Sequence, residues 1–350
     1  MTIKDVAKRA GVSPATVSNV INNTKYVSDG LKARVNKAID ELDFQVDYIA
    51  SMMKKDSTHT IGVVLTSLNR VFNTQVICGI QSVISKNDYK LIFYTTDNVL
   101  EKEAHYIRML TTSKVDGIIL NTAAHEKRDA KYLSNLAHLH NGNKAIPIVS
   151  IERNLVKYGI HSVHVNNVQG GEMATSHLIE CGCRNIALLA GLTYSDIGQD
   201  RITGYKNILH NNNIRFDEDL VRKGDFTAFS GYRTTKNLLK EGIIFDGLFA
   251  CNDEMAVGAL RALTEADILV PEDIKVVGFD NTFVSTLVSP QISTINVPKY
   301  RIGSSAARIL IRLIQNNEPI DEHSCEMPIS TIIRGSTEKD KLATWDLEDW

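Results

Sequence analysis

The sequence predicts an α/β protein that carries a small all-helical head. Two observations point there. Residues 1–44 hold three short amphipathic stretches at helical spacing, the first two joined by a tight turn. From Thr60 onward, short β-branched runs alternate with amphipathic helical stretches, which predicts parallel sheets covered on both faces and right-handed crossovers. A chain of 350 residues has room for the head and one or two such lobes.

In the head, Thr2 is placed to cap a first helix in which Ile3, Val6, Ala7 and Ala10 recur on one side, and Gly11 supplies its stop. Ser13 is a good N-cap for a second helix, and Pro14 sits where a missing N–H costs nothing. Val17, Val20 and Ile21 fall on its inward side, leaving Pro14, Ala15, Thr16, Ser18, Asn19 and Asn22 outward. Small hydroxyl, methyl and amide groups suit base edges and phosphates. Two helices at this spacing form the helix-turn-helix pattern, whose second helix lies in the major groove; an ordinary helical hairpin has the same local pattern. Ser28 would cap a third helix carrying Leu31, Val35, Ala38, Ile39 and Leu42.

Charge divides unevenly along the chain. The net charge is −2, yet residues 1–55 carry nine Lys and Arg against six acids, whereas the remainder holds 30 basic and 35 acidic residues. A basic excess confined to the head permits a polyanionic partner there. The composition from Phe44 to Thr60 is that of a linker, in which Tyr48, Ile49, Met52 and Met53 would line a short helix that orders only against a partner. The N-terminus has no apolar signal-type stretch and no run is long and apolar enough to cross a bilayer, which predicts a cytoplasmic protein without a membrane partner. Five scattered cysteines predict reduced thiols; Cys181 and Cys183 form the one close pair and lack the second pair of a metal site.

Strands are predicted at 61–65, 90–95, 117–120, 147–151, 162–165, 186–190, 247–250 and 275–279, with helices at 76–84 and 101–110 among them. Ligands of such folds sit beyond the carboxyl ends of strands. There stand Asp97, Arg153, Asn166, Asn252 and Asp280, with Arg201 and Phe226 in predicted loops. Polar groups converging with an aromatic face suit a neutral polyol or sugar. The structural alternatives are that Asn166 and Asn252 cap the helices after them, that Phe226 is core, and that Arg201 and Asp280 are an ion pair. No phosphate-binding glycine loop, nucleophile elbow, zinc-protease motif or His/Cys cluster appears, so an enzyme reading has no motif to rest on, and no catalytic residue, metal or cofactor is predicted.

Residues 2–22, from Thr-Ile-Lys-Asp-Val-Ala through Thr-Val-Ser-Asn-Val-Ile-Asn, resemble the head of the LacI/GalR (lactose/galactose repressor) family of bacterial transcription regulators. The resemblance continues through Val115–Leu120, Gly224–Phe226, Asn252–Ala256, Val270–Asp273, Val276–Asp280 and Arg334–Thr337. It implies a periplasmic-binding-protein-like (type I) effector region of two lobes between which the chain crosses three times. It also implies a homodimer, or a tetramer, on a pseudo-palindromic operator, with a small molecule, a sugar, altering DNA affinity from the cleft. The expected divisions are a head at 1–44, a hinge at 45–60, an effector and dimerisation region at 61–337 and a tail at 338–350. Within that region the first lobe is expected at 61–157 and 290–322, the second at 158–289 and 323–337.

Matched to the family's motifs, Pro14, Ala15 and Asn19 occupy base-reading positions, while Thr16, Ser18 and Asn22 resemble phosphate-contacting ones, with Ser13 and Lys25 beside them. Phe72, Arg201, Phe226 and Asp280 match effector-contacting positions, and Asn252 opens the Asn-Asp-x-Met-Ala motif near the same cleft. The sequence departs from the pattern in its hinge, which loses Pro, Arg and Leu and puts Met53 on the minor-groove wedge position. Asn73 follows Phe72 where an aromatic is common, and Asn166-Asn167 replaces Asp-Asn. Within the family, control by a phosphorylated carrier protein is the alternative to a sugar. Trp345 and Trp350 lie in an acidic tail read as a disordered extension.

Overall fold

A computed structural model of the chain describes residues 1–22, 25–44, 57–142, 144–192, 196–315, 323–339 and 341. The chain divides into two units, residues 1–58 and 59–350.

In the first unit, α1 (Ile3–Ala10), α2 (Pro14–Asn22) and α3 (Asp29–Glu41) close on Val6, Ala7, Ala10, Val17, Val35 and Ala38, with Val20, Ile21 and Phe44 packed at the edge. The Asp5 carboxylate accepts from the backbone N–H and the hydroxyl of Thr2 at 2.8 and 2.9 Å, pinning the start of α1. Gly11, at φ 65°, ends that helix in the left-handed region. Arg34 of α3 donates to the freed carbonyl of Ala10 at 2.6 Å, and Arg9 donates to Glu41 at 2.7 Å, so α3 is tied twice to the C-terminal end of α1. Ser28 precedes α3 with extended backbone, but its hydroxyl makes no capping bond; its carbonyl opens the helix instead.

The second unit holds two six-stranded sheets. The first runs β13 (Ser324–Glu326), β7 (His161–His164), β6 (Ile148–Ile151), β3 (Gly117–Leu120), β1 (Thr60–Leu65) and β2 (Lys90–Thr95), all parallel. Its helices are α4 (Val71–Ile84), α5 (Leu100–Thr112), α6 (Ala130–Leu136) and α11 (Lys299–Gln315), and a two-stranded antiparallel pair, β4 (His140–Asn141) and β5 (Lys144–Ala145), follows α6. The second sheet runs β14 (Ser330–Ile332), β12 (Ser293–Asn296), β11 (Lys275–Asp280), β10 (Gly247–Ala250), β8 (Ile186–Ala190) and β9 (Val221–Lys223). Helices α7 (Asn167–Glu180), α8 (Asp196–Asn211), α9 (Ala228–Lys240) and α10 (Asp253–Thr264) serve that sheet. Strands β1, β3, β6, β8 and β10 are buried along their whole length, as continuous apolar runs between two helical layers must be.

Among the described residues the chain passes between the lobes three times, at residues 165–166, 297–298 and 327–329. These crossings correct the expected lobe boundaries. The strand at 161–164, assigned from sequence to the second lobe, pairs with β6 in the first sheet. Strand β12, expected within 290–322 of the first lobe, pairs with β11 in the second, and β13, expected in the second, pairs with β7 in the first. Strand β14 also breaks the all-parallel expectation by running antiparallel to β12. Sheet membership is fixed by the neighbour that a strand hydrogen-bonds, and a strand's own residues do not encode which neighbour that is. The expected hinge residues 45–56 and tail residues 342–350, including Tyr48, Ile49, Met52, Met53, Trp345 and Trp350, lie outside the described residues.

Helices α4 and α11 touch backbone to backbone on the first sheet. A Cβ on Gly79 would collide with the carbonyl of Tyr300, and one on Gly303 with that of Val76. Gly303→Ala should therefore force the helices apart and cost about 1–3 kcal/mol in urea unfolding. An unchanged midpoint would show that the contact is not close in solution.

Candidate functional site

Two surfaces gather the residues singled out from sequence. On the head, the Ser13 hydroxyl accepts the Thr16 backbone N–H at 3.1 Å and lies 2.9 Å from the Thr16 hydroxyl, so both are spent in part on starting α2. Pro14 and Ala15 are exposed, Thr16, Ser18 and Asn19 are half-buried, and Val17 is wholly in the core. Lys25 is exposed just beyond the helix. The side chain of Asn22 and all of Met53 lie outside the described residues. This outer side offers ring and methyl surface, hydroxyls and one amide, a set able to meet base edges and phosphates.

In the second unit the carboxyl ends of the strands face each other across the two lobes. Asp280 ends β11 at φ 97° and is completely buried, and Phe226, at φ 69°, follows β9 with its ring filling the space left by Gly191. Arg201, also fully buried, reaches Asp280 at 3.6 Å and lies 3.5 Å over the ring of Phe279. Its Nε donates to Asn167 Oδ1 at 3.0 Å and its Nη1 to the carbonyl of Cys251. Burial pulls the Arg201 guanidinium below its ordinary range, against the pull of Asp280. Neither oxygen of Asp280 has a hydrogen-bond partner among the described residues.

The turn that carries Asp280 is held from behind. Asp253 accepts from the backbone N–H and hydroxyl of Thr282 at 2.6 and 3.1 Å and from Thr294 at 2.6 Å. Burial raises its pKa well above the usual carboxylate range. Lys299, buried at a lobe crossing, donates to the carbonyls of Asp280, Asn281 and Val297 at 2.6, 2.9 and 3.1 Å. Arg334 of the sequence motif at 334–337 donates to Asn281 at 2.7 Å.

Contacts between the lobes complete the cleft. Arg153 of the first lobe pairs with Asp196 of the second and donates to the Ala124 carbonyl. Asp196 also accepts from the Glu126 backbone at 3.0 Å and stands 3.4 Å from His125. Glu254, raised in pKa by burial and by Asp280, accepts the Val71 backbone N–H at 3.0 Å across the gap. Beside these contacts opens a cavity of about 470 Å³, lined in part by Glu152, Arg153, Asn166, Asp196, Asp200 and Glu326. Burial and the neighbouring Asp196 raise the Asp200 carboxyl. Among the described residues no three His, Cys, Asp or Glu side chains stand where they could share a metal ion, and no helix is long and apolar enough to cross a membrane.

Phe72, Arg153, Arg201, Phe226, Asn252 and Asp280 thus come to the facing edges of the lobes, and Asp97 does not. Its side chain is 62% exposed and takes a 2.7 Å bond from Lys102, because the turn after β2 faces solvent at the sheet edge. Arg201 lies on α8, not in a loop: the buried positions Ile197, Ile202 and Tyr205 share its helix. Asn166 and Asn252 do cap α7 and α10, accepting from Gln169 and Met255 at 3.0 Å each. Asn252 also donates to Phe226 O at 2.9 Å and Glu254 at 2.8 Å, so its cap doubles as a support of the cleft. Sequence reasoning missed Arg70, Glu152, Asp196 and Glu254. Glu152 was one residue from Arg153 at a strand end, and an acid in a strand-end turn was the signal available; Arg70 gave none.

Comparison with known proteins agrees with this architecture. Residues 2–47 match the profile of bacterial regulatory proteins, lacI family, and residues 175–337 that of a periplasmic binding protein-like domain. The chain is 34% identical over 317 residues to the HTH-type transcriptional repressor PurR of Vibrio atlanticus, covering 91% of this chain and 93% of that one. With PurR of Vibrio campbellii it shares 33% over 338 residues, 97% and 99% of the two chains. Among solved structures, the lac repressor dimer bound to operator and the anti-inducer ONPF superposes with a TM-score of 0.85 at 28% identity, covering 96% of this chain and 99% of that one. The CelR–cellobiose complex gives 0.70 at 29% identity with the same coverage.

Arg201→Met keeps the side-chain volume but leaves Asp280 without its partner on the second lobe. A buried charge stripped in this way is expected to lower the unfolding free energy in urea by about 3 kcal/mol or more. A loss below about 1 kcal/mol would mean that the pair is not the anchor its burial suggests.

Proposed function

The chain belongs to the lacI family of bacterial regulatory proteins, and from that premise we propose a sequence-specific repressor whose hold on its operator is set by a sugar bound between the two lobes. The family is one of transcription repressors, not enzymes. One observation carries the effector half of the reading: Asp280 is fully buried, faces the gap between the lobes, and has two oxygens without hydrogen-bond partners among the described residues. A buried carboxylate of that kind is a receptor for donors, and sugar hydroxyls supply them. The cavity of about 470 Å³ between Glu152, Asn166, Asn167 and Asp200 has the size and polarity for one or two sugar rings, and Asp280 lies behind it rather than on its wall. A flat nitrogen heterocycle is the second reading, favoured by the approach of Phe72 and Phe226 from opposite lobes to one planar group.

On the DNA side, α2 enters the major groove, with Pro14, Ala15 and Asn19 at base edges and Ser13, Thr16, Ser18, Asn22 and Lys25 along the phosphates. Met53 is the minor-groove wedge. A homodimer presents two such helices to the halves of a pseudo-palindrome. The exposed edge strand β2, with Phe93 47% and Ile92 36% exposed, supports a subunit interface on the first lobe. The protein acts in the cytoplasm. Closure of the lobes on an effector changes the spacing of the heads, and the coupling is on the order of 1–3 kcal/mol.

Asn19→Ala should relax selection at one operator position by about 1–3 kcal/mol, whereas Lys25→Ala should weaken all sequences alike and reduce the salt slope. Selection from random duplexes checks both, and an unchanged preference in Asn19→Ala would remove the base-reading role. A thermal-shift panel of mono- and disaccharides, with free nucleobases as the second arm, should give a stabilising hit that Asp280→Ala abolishes. A hit that survives Asp280→Ala would put the effector elsewhere.

A further inference from the structure

Arg70 stands in the turn between β1 and α4 on the first lobe, and its side chain is 11% exposed. Its guanidinium carbon lies 5.1 Å from the centroid of Phe72, on its own lobe, and 5.0 Å from that of Phe226, on the other. The same group faces Glu152 of the first lobe at 3.5 Å and Asp280 of the second at 3.7 Å. A planar cation flanked by two phenyl rings and two carboxylates, one of each from either lobe, has the surroundings of a bound ligand.

The fit is incomplete in an informative way. Charge-assisted hydrogen bonds close to roughly 2.7–2.9 Å, and both carboxylates stay well beyond that. Nε and Nη2 of Arg70 and both oxygens of Asp280 find no hydrogen-bond partner among the described residues. Burial alone would pull the Arg70 guanidinium down, but Glu152, Asp280 and Glu254 outweigh it and hold the group charged.

We propose that the space between Phe72 and Phe226 is a seat for a planar guanidino or amidino cation, and that Arg70 is its built-in occupant, drawing the two lobes together when no ligand is bound. The inference rests on the reading of the cleft as the effector site, and not on the effector being a sugar. An effector entering this seat must displace Arg70, so Arg70 sets which ligands are admitted.

The test is chemical rescue in the full-length chain, read by thermal unfolding at constant ionic strength. Arg70→Ala should unfold at a lower temperature than the wild type. It should then gain a saturable rise, on the order of 2 °C or more, with millimolar n-propylguanidinium and none with n-propylammonium, which has the charge without the plane. The wild type should need at least about tenfold more probe, and Arg70→Ala combined with Asp280→Asn should not respond. Equal responses to the two probes, equal responses of wild type and variant, or no response would each overturn the proposal. If Arg70→Ala gives no folded protein, Arg70→Gln, whose shorter neutral amide takes the Arg70 cation away from Glu152 and Asp280, should show the same selective rise, and its silence would likewise overturn it. Operator selection by the wild type is read separately. Selection without rescue removes only the seat, whereas rescue without selection leaves the seat standing and removes the regulator.

Discussion

The fully buried Asp280 carboxylate is the constraint on which the second unit is arranged. A carboxylate taken out of water needs cations and donors around it. Arg201 meets that need from the second lobe and Arg70 from the first. Burying Arg201 in turn requires acceptors for its own N–H groups, found on Asn167 and the Cys251 carbonyl. One charge at the end of β11 therefore fixes a helix start, the end of a neighbouring strand and a side chain from the opposite lobe.

The same charge lies next to the passage between lobes. Lys299, at the second crossing, is satisfied by three carbonyls, two of them from the Asp280–Asn281 turn. That turn and the crossing segment are therefore held to each other at the start of α11. The lobes are also clasped directly, by Arg153 with Asp196 and by Glu254 with the Val71 backbone. Beside these polar clasps, one apolar cluster runs on from Ile61, Phe72 and Val165 of the first lobe to Phe226, Phe279 and Val297 of the second.

The head is organised on a different principle. Its core is six small or β-branched residues, and the side chains holding α1 to α3 are surface arginines on carbonyls and a glutamate. On α2, Pro14 and Ala15 stand exposed, Thr16, Ser18 and Asn19 are half-buried and Val17 is enclosed. The Thr16 hydroxyl lies against Ser13 at the helix start.

What the sequence by itself determined is local. The head helices follow from apolar spacing and from Thr2, Gly11, Ser13 and Pro14 at their ends, and buried strands such as 61–65 and 247–250 follow from unbroken apolar runs, because periodicity and capping act over a few residues. Of the seven cleft candidates, Arg153, Asn252 and Asp280 were legible from the strand-end rule, whereas Arg201 and Phe226 read as loop residues and Phe72 comes from the family resemblance. Asp97 obeyed the same rule and faced solvent, since the rule cannot say which strand lies at the edge. Tertiary structure alone decided that 161–164 and 324–326 join the first sheet and 293–296 the second, and that Arg70, Glu152, Arg201 and Asp280 meet. Strand pairing and buried charge both act between residues far apart in the chain, and nothing in the local pattern of one partner names the other.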